Sequence, residues 1–507
     1  MKKFTLVLAC LIFIQQFQSS AQEITYSETK LEDNRDINFE ILGKMNNKYV
    51  VYKNVRWKHL LAFYDKDMHI AKSMRLTFVP DKTFNIDFIT YPDYFYVIYQ
   101  YQKNSVIYCK AVKLSNDGEK LGDPMHLDTT RIGILTDNKI YNTTFSQDKQ
   151  KIMIYKIQVK NQMLTLVTKL FDKDLKMLDS TRQINPFDDR KEIYGDILLD
   201  NDGGFVLSKT TKKNYRENVN SIDIISRKPG VVDASVIKIP LSDKMIDEVR
   251  VKIDNLNKTY IVNSFYYNED ALNVKGLFTA MIDANNVNPI KIAFNVFPDS
   301  LRSKINFDGQ SRFAFNDFFI RQAIVKKDGG FLLTAEDYSL QSLVGTNNNW
   351  NRWNYINNPY VNSYDYYLSN PYWYYRPVNS FNNAPSMRYY YNDILVLSLD
   401  ADLKMEWCNV ISKKQSDDET DNFLSFSSLN AGAEVHFIYI ERERNKQVIS
   451  NQSVYPNGQV KRYPTLRSRE IGYEFMPRLA RQVGVREVII PCIYRSTIAF
   501  AKVVFSE

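Results

Sequence analysis

The chain has 507 residues, 44% of them hydrophobic and 24% charged, and a formal net charge of +8. These are the values of a globular protein and exclude a disordered or fibrous chain. The positive surplus is too small for a nucleic-acid-binding protein. Only four histidines are present. They are scattered, so the sequence offers little material for a His-rich metal site or a His-based catalytic triad.

The first 21 residues have the pattern of a secretory signal peptide. Two lysines at positions 2 and 3 precede the uncharged apolar run 4–14, and Ser19-Ser20-Ala21 supplies the small residues that a signal peptidase recognises. The run is too short for a permanent membrane anchor, and no later segment is long and apolar enough for one. We therefore expect an exported protein whose mature chain, 22–507, is one domain in the periplasm, at the outer membrane or outside the cell.

The cysteines give little support to covalent crosslinking or lipidation. A lipoprotein signal ending at Cys10 is the alternative N-terminal interpretation, but it would leave a very short apolar core. The mature chain keeps Cys109, Cys408 and Cys492, an odd number that argues against a disulfide framework. Each lies in an apolar, strand-like context, which predicts buried thiols rather than catalytic ones.

A repeat runs through the mature chain, in which an apolar strand enters a short polar turn and a second strand follows. The turns are built from Asp, Asn, Gly and Pro, which accept tight-turn geometry or hydrogen-bond to their own backbone. The last apolar residues before the turns are about 55 residues apart, with one gap of about twice that length. They are Tyr64, Leu114, Phe171, Ile225, Ile282, Leu399 and Tyr455.

A period of this length made of short strands is typical of a β-propeller blade with four antiparallel strands. The seven turns and a last repeat, whose turn would fall just past Glu507, predict an all-β, eight-bladed propeller, with seven blades as the alternative if one weak repeat is misread. The segment 23–31 precedes the first repeat without a partner, and the strand 497–505 ends the last repeat. Pairing these two segments would close the ring and remove exposed sheet edges.

At this level the chain resembles the secreted β-propeller superfamily over nearly all of the mature sequence. The resemblance is architectural, because the Trp-Asp, Kelch and Asp-box signatures are missing from the sequence. It implies a fold and a central funnel but no particular activity.

An acidic residue recurs early in most repeats, in the segment predicted to be the innermost strand. The six candidates are Glu40, Asp87, Asp196, Glu248, Asp317 and Glu474. Innermost strands line the axis of a propeller, so these carboxylates are predicted to converge and to raise one another's pKa. The functional interpretations are a divalent-cation site, a pocket for a basic ligand, or a carboxylate pair for hydrolysis. The structural interpretation is that each acid fixes the geometry between neighbouring blades.

The double gap contains an insertion at 341–390, predicted to leave the sixth blade between its second and third strands. It has 14 aromatic residues and 12 asparagines. Rings beside amides suit sugar faces or protein surfaces, whereas the alternatives are packing against the propeller and disorder. The predicted binding residues are Trp350, Arg352, Trp353, Tyr355, Tyr372, Trp373, Tyr374, Tyr375 and Arg376.

Together these features favour a non-catalytic binding or scaffold protein of the cell envelope. It would hold a protein partner or a glycan, without nucleic acid and without an assigned cofactor. The alternative is a propeller hydrolase or lyase that acts on polysaccharide through the funnel carboxylates. An enzyme would need acids with raised pKa values in an open funnel.

Overall fold

The computed structural model is all-β, in agreement with the prediction from the sequence. It describes residues 23–29, 37–132, 140–188, 190–212, 219–268, 273–286, 288–305, 314–343, 387–418, 420–443, 446–467 and 472–505. The predicted signal peptide lies outside these residues. Within them, no helix has the length and apolar character needed to cross a membrane.

The strands pair antiparallel throughout and follow one another in eight successive groups, in which the long strands pair with the long strands before and after them in sequence. A first strand, β1 (Glu23–Tyr26), precedes group 1. Group 1 is β2 (Asn38–Met45), β3 (Lys48–Val55), β4 (Lys58–Tyr64) and β5 (Ile70–Arg75). Group 2 is β6 (Thr83–Thr90), β7 (Tyr94–Lys103), β8 (Val106–Ser115) and β9 (Met125–Arg131). Group 3 is β10 (Asn142–Phe145), β11 (Lys151–Lys160), β12 (Met163–Asp172) and β13 (Met177–Pro186).

Groups 4 and 5 have divided first strands and are joined into one sheet by a single residue pair between β17 and β19. Group 4 is β14 (Glu192–Tyr194), β15 (Leu198–Leu199), β16 (Phe205–Lys212), β17 (Val219–Arg227) and β18 (Ser235–Ile239). Group 5 is β19 (Lys244–Ile246), β20 (Arg250–Asp254), β21 (Thr259–Asn268), β22 (Gly276–Asp283) and β23 (Asn288–Val296), followed by the short helix α1 (Asp299–Arg302).

The last three groups carry additional short strands. Group 6 is β24 (Phe318–Val325), β25 (Phe331–Ser342), β26 (Met387–Leu399), β27 (Met405–Ile411) and β28 (Gln415–Asp417). Group 7 is β29 (Phe426–Asn430), β30 (Val435–Glu443), β31 (Lys446–Val454), β32 (Val460–Arg462) and β33 (Leu466–Arg467). Group 8 is β34 (Tyr473–Phe475), β35 (Arg481–Gly484), β36 (Glu487–Tyr494) and β37 (Thr497–Val504).

The seven predicted turns all follow the third strand of a group, which explains the recurring aspartate. The Oδ1 atoms of Asp65, Asp172 and Asp400 each accept hydrogen bonds from the backbone N–H groups two and four residues later, at 2.8–2.9 Å. One side-chain oxygen thus satisfies two donors that the tight turn would otherwise leave exposed to competition from water.

A buried apolar residue with positive φ completes several of these turns. Met68, Leu175 and Leu403 have φ values of 64°, 61° and 63° and are almost fully buried. The left-handed conformation costs a non-glycine residue about 1–2 kcal/mol. Burial of a large apolar side chain is worth about as much or more, so packing offsets the backbone strain. Gly118 and Gly458 take the same place in other groups, with φ values of 84° and 83°.

The core consists of apolar clusters that each join two groups. One cluster joins group 1 to group 2, and further clusters join every consecutive pair through groups 7 and 8. An eighth cluster joins the first and last groups, where Phe39 of β2 meets Phe500 of β37 edge-on at 5.3 Å. Repeated antiparallel sheets packed face to face in chain order are the architecture of the β-propeller superfamily.

The two ends of the described chain lie side by side. β1 pairs antiparallel with β37 over four residues, from Glu23 opposite Val504 to Tyr26 opposite Ala501. Ser27 extends this contact: its N–H donates to the carbonyl of Phe500, and its Oγ accepts the N–H of Phe500, both at 2.9 Å. β1 is therefore the outer strand of group 8.

Candidate functional site

All six predicted acids lie in, or directly beside, the first strand of a group. Glu40, Asp87 and Glu474 lie within β2, β6 and β34; Asp196 and Glu248 lie between the two halves of a divided first strand; Asp317 immediately precedes β24. Their environments differ, however. The side chains of Glu40, Asp87 and Glu248 are buried, Asp317 is half-buried, and Asp196 and Glu474 are exposed.

Three of the acids are brought together around groups 2 to 5. Asp87 accepts a hydrogen bond from Asn85 Nδ2 at 2.5 Å. Burial raises the pKa of Tyr155 on β11, and the carboxylates of Asp196 and Asp87 raise it further. Acids from groups 2 and 4 therefore both raise the pKa of one phenol of group 3, and the convergence of all six acids stays a prediction.

Arg250 on β20 of group 5 interacts both with Glu248 of its own group and with Asp196 of group 4. Its Nε donates to Glu248 Oε1 at 2.8 Å, and the Glu248 side chain is almost completely buried. Surrounding protein atoms raise the pKa of Asp196 although its side chain remains accessible, and the charge of Arg250 opposes that rise. Lys252, exposed two residues further along β20, has a pKa lowered by desolvation.

Glu40 is buried beside an aromatic side chain. It is the cross-strand neighbour of Tyr52, whose pKa is raised well above its usual value by burial and by the Glu40 charge. The Tyr52 hydroxyl also lies 2.7 Å from His59 Nδ1. This polar contact is internal to group 1.

Asp317 belongs to a second acidic cluster, which the repeat pattern does not predict. Burial and the neighbouring Asp317 and Asp393 carboxylates raise the pKa of Asp337 on β25 to about 7, against the opposing effects of Asn392 and Lys413. Asp337 Oδ2 accepts a hydrogen bond from Asn392 Nδ2 at 3.2 Å. The pairing of β25 with β26 shifts register here, so that both residues 392 and 393 face the single position 337. Such bulges occur often beside functional sites.

Glu336, next to Asp337 in sequence, contacts basic side chains, whereas Asp337 lies near other carboxylates. Its fully buried carboxylate contacts Lys413 Nζ at 2.8 Å and Arg321 Nε at 3.2 Å. The Ser425 hydroxyl donates to it at 2.7 Å. Ser425 directly precedes β29, the first strand of group 7, where the repeat has no acidic residue. The carboxylate that accepts its hydrogen bond belongs instead to Glu336 of group 6.

Tyr391 of β26 links this network to group 8. Its hydroxyl donates to Asp421 Oδ2 at 3.0 Å, and Arg478 Nη1 lies 3.0 Å from the hydroxyl and 2.6 Å from Asp421 Oδ2. Burial acts to raise the pKa of Asp421, but Arg478 holds it below its usual value. Groups 6, 7 and 8 thus share one network of buried charges.

Glu474 lines a cavity of about 760 Å³ between groups 6, 7 and 8. A larger cavity of about 1130 Å³ lies between β13 and the outer part of group 4, and none of the six acids lines it. Among the described residues, no group of three or more His, Cys, Asp and Glu side chains is arranged to hold a metal ion.

The predicted aromatic binding residues between 350 and 376 lie outside the described residues. The structure does locate the connection, because Ser342 at the end of β25 faces Met387 at the start of β26. The predicted insertion therefore begins and ends within two paired strands, and Tyr389 and Tyr390 belong to β26. Cys109, Cys408 and Cys492 are unpaired, and burial raises the pKa of all three thiols.

Several charged residues of these networks do not recur at a fixed position of the predicted repeat. Arg250 could have been found from its position only two residues after Glu248, because so short a spacing keeps the two side chains within reach of each other. Glu336 and Asp337 could have been found as acids that follow the apolar run 331–335 within one strand. Lys413 and Arg478 come from connecting segments and carry no such signal.

No protein-family model matches the sequence, and no curated protein matches it. Similar solved structures have sequence identities of 8–10% with this chain. Prolyl oligopeptidase B from Galerina marginata has a TM-score of 0.39 at 9% identity; the match covers 92% of this chain and spans only 57% of that one. A polysaccharide lyase, an ulvan lyase with bound saccharide, has a TM-score of 0.37 at 9% identity, with 82% and 90% coverage. The β-propeller domain of the Trilobed protease from Pyrococcus furiosus has a TM-score of 0.34 at 10% identity, with 87% and 97% coverage. We base no functional conclusion on likenesses of this strength.

Proposed function

We propose that the eight groups are the blades of one propeller, closed by β1. The support is the set of apolar clusters, which runs from each group to the next and from the last group back to the first. The pairing of β1 with β37 supplies group 8 with its fourth strand. Each blade then packs against a neighbour on either side.

We further propose that this propeller is a non-catalytic binding or scaffold protein, exported to the cell envelope, that holds a protein partner or a glycan. One observation carries this proposal: buried carboxylates at the first strand of group 5 and on the second strand of group 6 are paired with basic side chains of the chain itself. Arg250 pairs with Glu248, and Lys413 and Arg321 pair with Glu336. Carboxylates compensated in this way stabilise a fixed framework and have little freedom to transfer protons.

The test is a pull-down from native envelopes with the mature chain. Because Ser342 and Met387 are cross-strand partners, residues 344–386 can be replaced by a short Asn-Gly turn that keeps β25 and β26 paired. The variant should unfold at the temperature of the parent chain and lose at least one partner. Retention of every partner by a stably folded variant would overturn the assignment of the insertion as the binding surface.

The second candidate is a hydrolase or lyase acting on polysaccharide, and the cluster of Asp317, Asp337 and Asp393 favours it. A carboxyl group with a pKa of about 7 beside other carboxylates is suited to exchange a proton near neutral pH. The test is release of reducing or unsaturated ends from envelope and matrix polysaccharides. An enzyme would lose activity on Asp337→Asn and keep it on Asp402→Asn, an exposed acid that pairs with Lys291.

A further inference from the structure

The cavity between groups 6, 7 and 8 is lined by alternating positive and negative side chains. Arg388 and Asp418 of group 6 lie on one side, and Arg442 of group 7 and Arg495 of group 8 lie on the others, with Asp417 and Glu474 between them. Three guanidinium groups thus face three carboxylates. Among the described lining residues the positive and negative charges are equal in number, so this part of the lining does not favour a strongly anionic or cationic ligand.

Two of the arginines are fixed by carboxylates and still face the cavity. Arg388 binds Asp418 with two contacts, Nε to Oδ1 at 2.5 Å and Nη2 to Oδ2 at 2.9 Å. Arg442 Nη2 lies 3.7 Å from Asp417 Oδ2, and Asp417 is held in turn by the N–H of Thr420 at 3.0 Å. The side chains of Arg388 and Arg442 are 38% and 65% exposed, so each retains N–H donors for a ligand.

The third arginine is held by aromatic stacking. Arg495 lies over the ring of Tyr494 at 5.1 Å, and Tyr494 stacks on Tyr473 at 4.3 Å. This places a guanidinium at the wall of the cavity without a carboxylate partner to satisfy it among the described residues. Phe423 adds an apolar surface to the same lining.

We propose that this cavity binds a neutral saccharide of two or three residues. A sugar hydroxyl both donates and accepts, so two adjacent hydroxyls can accept from a guanidinium and donate to the carboxylate that holds it. The fixed Arg388–Asp418 pair presents such a donor and acceptor side by side, and Phe423 suits the C–H face of a sugar ring. The volume of about 760 Å³ lies within the range of pockets for small ligands. This inference rests on the proposed binding function and names the ligand class of one site.

The experiment measures binding of the mature chain to neutral oligosaccharides of three residues, namely β-1,4-linked glucose, mannose, xylose and N-acetylglucosamine trimers, by titration calorimetry. An oligogalacturonate of the same length is the acidic comparison. Arg388→Lys and Arg442→Lys retain the charge and remove the planar fork. Arg462→Lys is the matched control, because Arg462 forms an exposed pair with Glu441 at 2.6 Å and does not line the cavity.

We expect at least one neutral trimer to bind at millimolar concentration or tighter, with affinity about tenfold lower in Arg388→Lys and unchanged in Arg462→Lys. Failure of all four neutral trimers to bind, or equal affinity in the parent chain and both cavity variants, overturns the proposal. Preference for the oligogalacturonate also overturns it. If envelope partners are still captured in any of these cases, the broader binding function stands and only the saccharide site fails.

Discussion

The pKa of Asp337 makes a quantitative prediction about stability. An aspartate has a pKa of about 3.8 in the unfolded chain, and burial beside Asp317 raises that of Asp337 to about 7 in the folded chain. Between these two values the folded protein holds a proton that the unfolded chain has released. The free energy of unfolding therefore falls as the pH rises from about 4 to about 7.

The substitution Asp337→Asn removes this dependence, because an amide stays neutral and its oxygen can still accept the hydrogen bond from Asn392. Each pKa unit corresponds to 1.36 kcal/mol, so a shift of about three units amounts to about 4 kcal/mol at pH 8. At pH 5 the same calculation gives a gain of about 2 kcal/mol. The gain is smaller because pH 5 lies only a little more than one unit above the pKa of the unfolded carboxyl group, so its ionisation stabilises the unfolded chain less than at pH 8. The variant should thus be more stable than the parent chain, and increasingly so at higher pH.

Urea unfolding at pH 5, 6, 7 and 8, followed by far-UV circular dichroism, measures this gain. Asp402→Asn is the control with the opposite sign. Lys291 lowers the pKa of Asp402, so removal of its charge should reduce stability by the same amount across pH 5 to 8, and this loss should fade only below about pH 3.8. If Asp337→Asn gains no stability between pH 5 and pH 8, Asp337 is ionised in the folded protein and the proposed proton-exchanging cluster is wrong.

Four further substitutions, at three positions, test the turn, the terminal strand and the buried ion pair. Leu403→Ala should lose about 2–5 kcal/mol of unfolding free energy, because the side chain is fully buried. Leu403→Gly should be no less stable than Leu403→Ala, because glycine adopts the positive φ of this position without strain. A glycine variant clearly less stable than the alanine variant would contradict the strain argument. Ser27→Ala removes the acceptor of the buried Phe500 N–H and should cost about 1–3 kcal/mol in urea unfolding, while no loss would mean that β1 contributes little. Glu336→Gln leaves Lys413 and Arg321 without a counter-charge and should lower stability by about 3–5 kcal/mol; an unchanged midpoint would show that the pair is not charged.

The sequence predicts most of the fold because the repeat is local. Each turn needs an aspartate or glycine at a fixed place after an apolar strand, and the backbone hydrogen bonds to Asp65 and Asp400 show why. Strand order follows directly, since consecutive strands pair. The divided first strands of groups 4 and 5 were not predictable, because the interruption at Asp196 and Glu248 depends on packing around residues distant in sequence.

The candidate site is predictable only where it follows the repeat. The position of the six acids at the first strands comes from periodicity, but the protonation of each acid depends on partners brought close by the fold. Glu248 pairs with Arg250, which local spacing could reveal. Glu336 pairs with Lys413, which lies 77 residues further along the chain and folds against it. No pattern within one strand contains that contact.

Asp337 separates the two proposed functions with one substitution. In a binding protein, the neutral carboxyl group of Asp337 is part of the framework, and Asn retains its shape and its acceptor for Asn392. Asp337→Asn should then keep partner or saccharide binding and gain stability. In an enzyme, the same group must exchange its proton, and an amide cannot do so, so activity should disappear although stability rises. Higher stability with retained binding therefore supports the scaffold, and higher stability with lost polysaccharide cleavage supports the hydrolase or lyase, because stability–activity trade-offs are typical of functional sites.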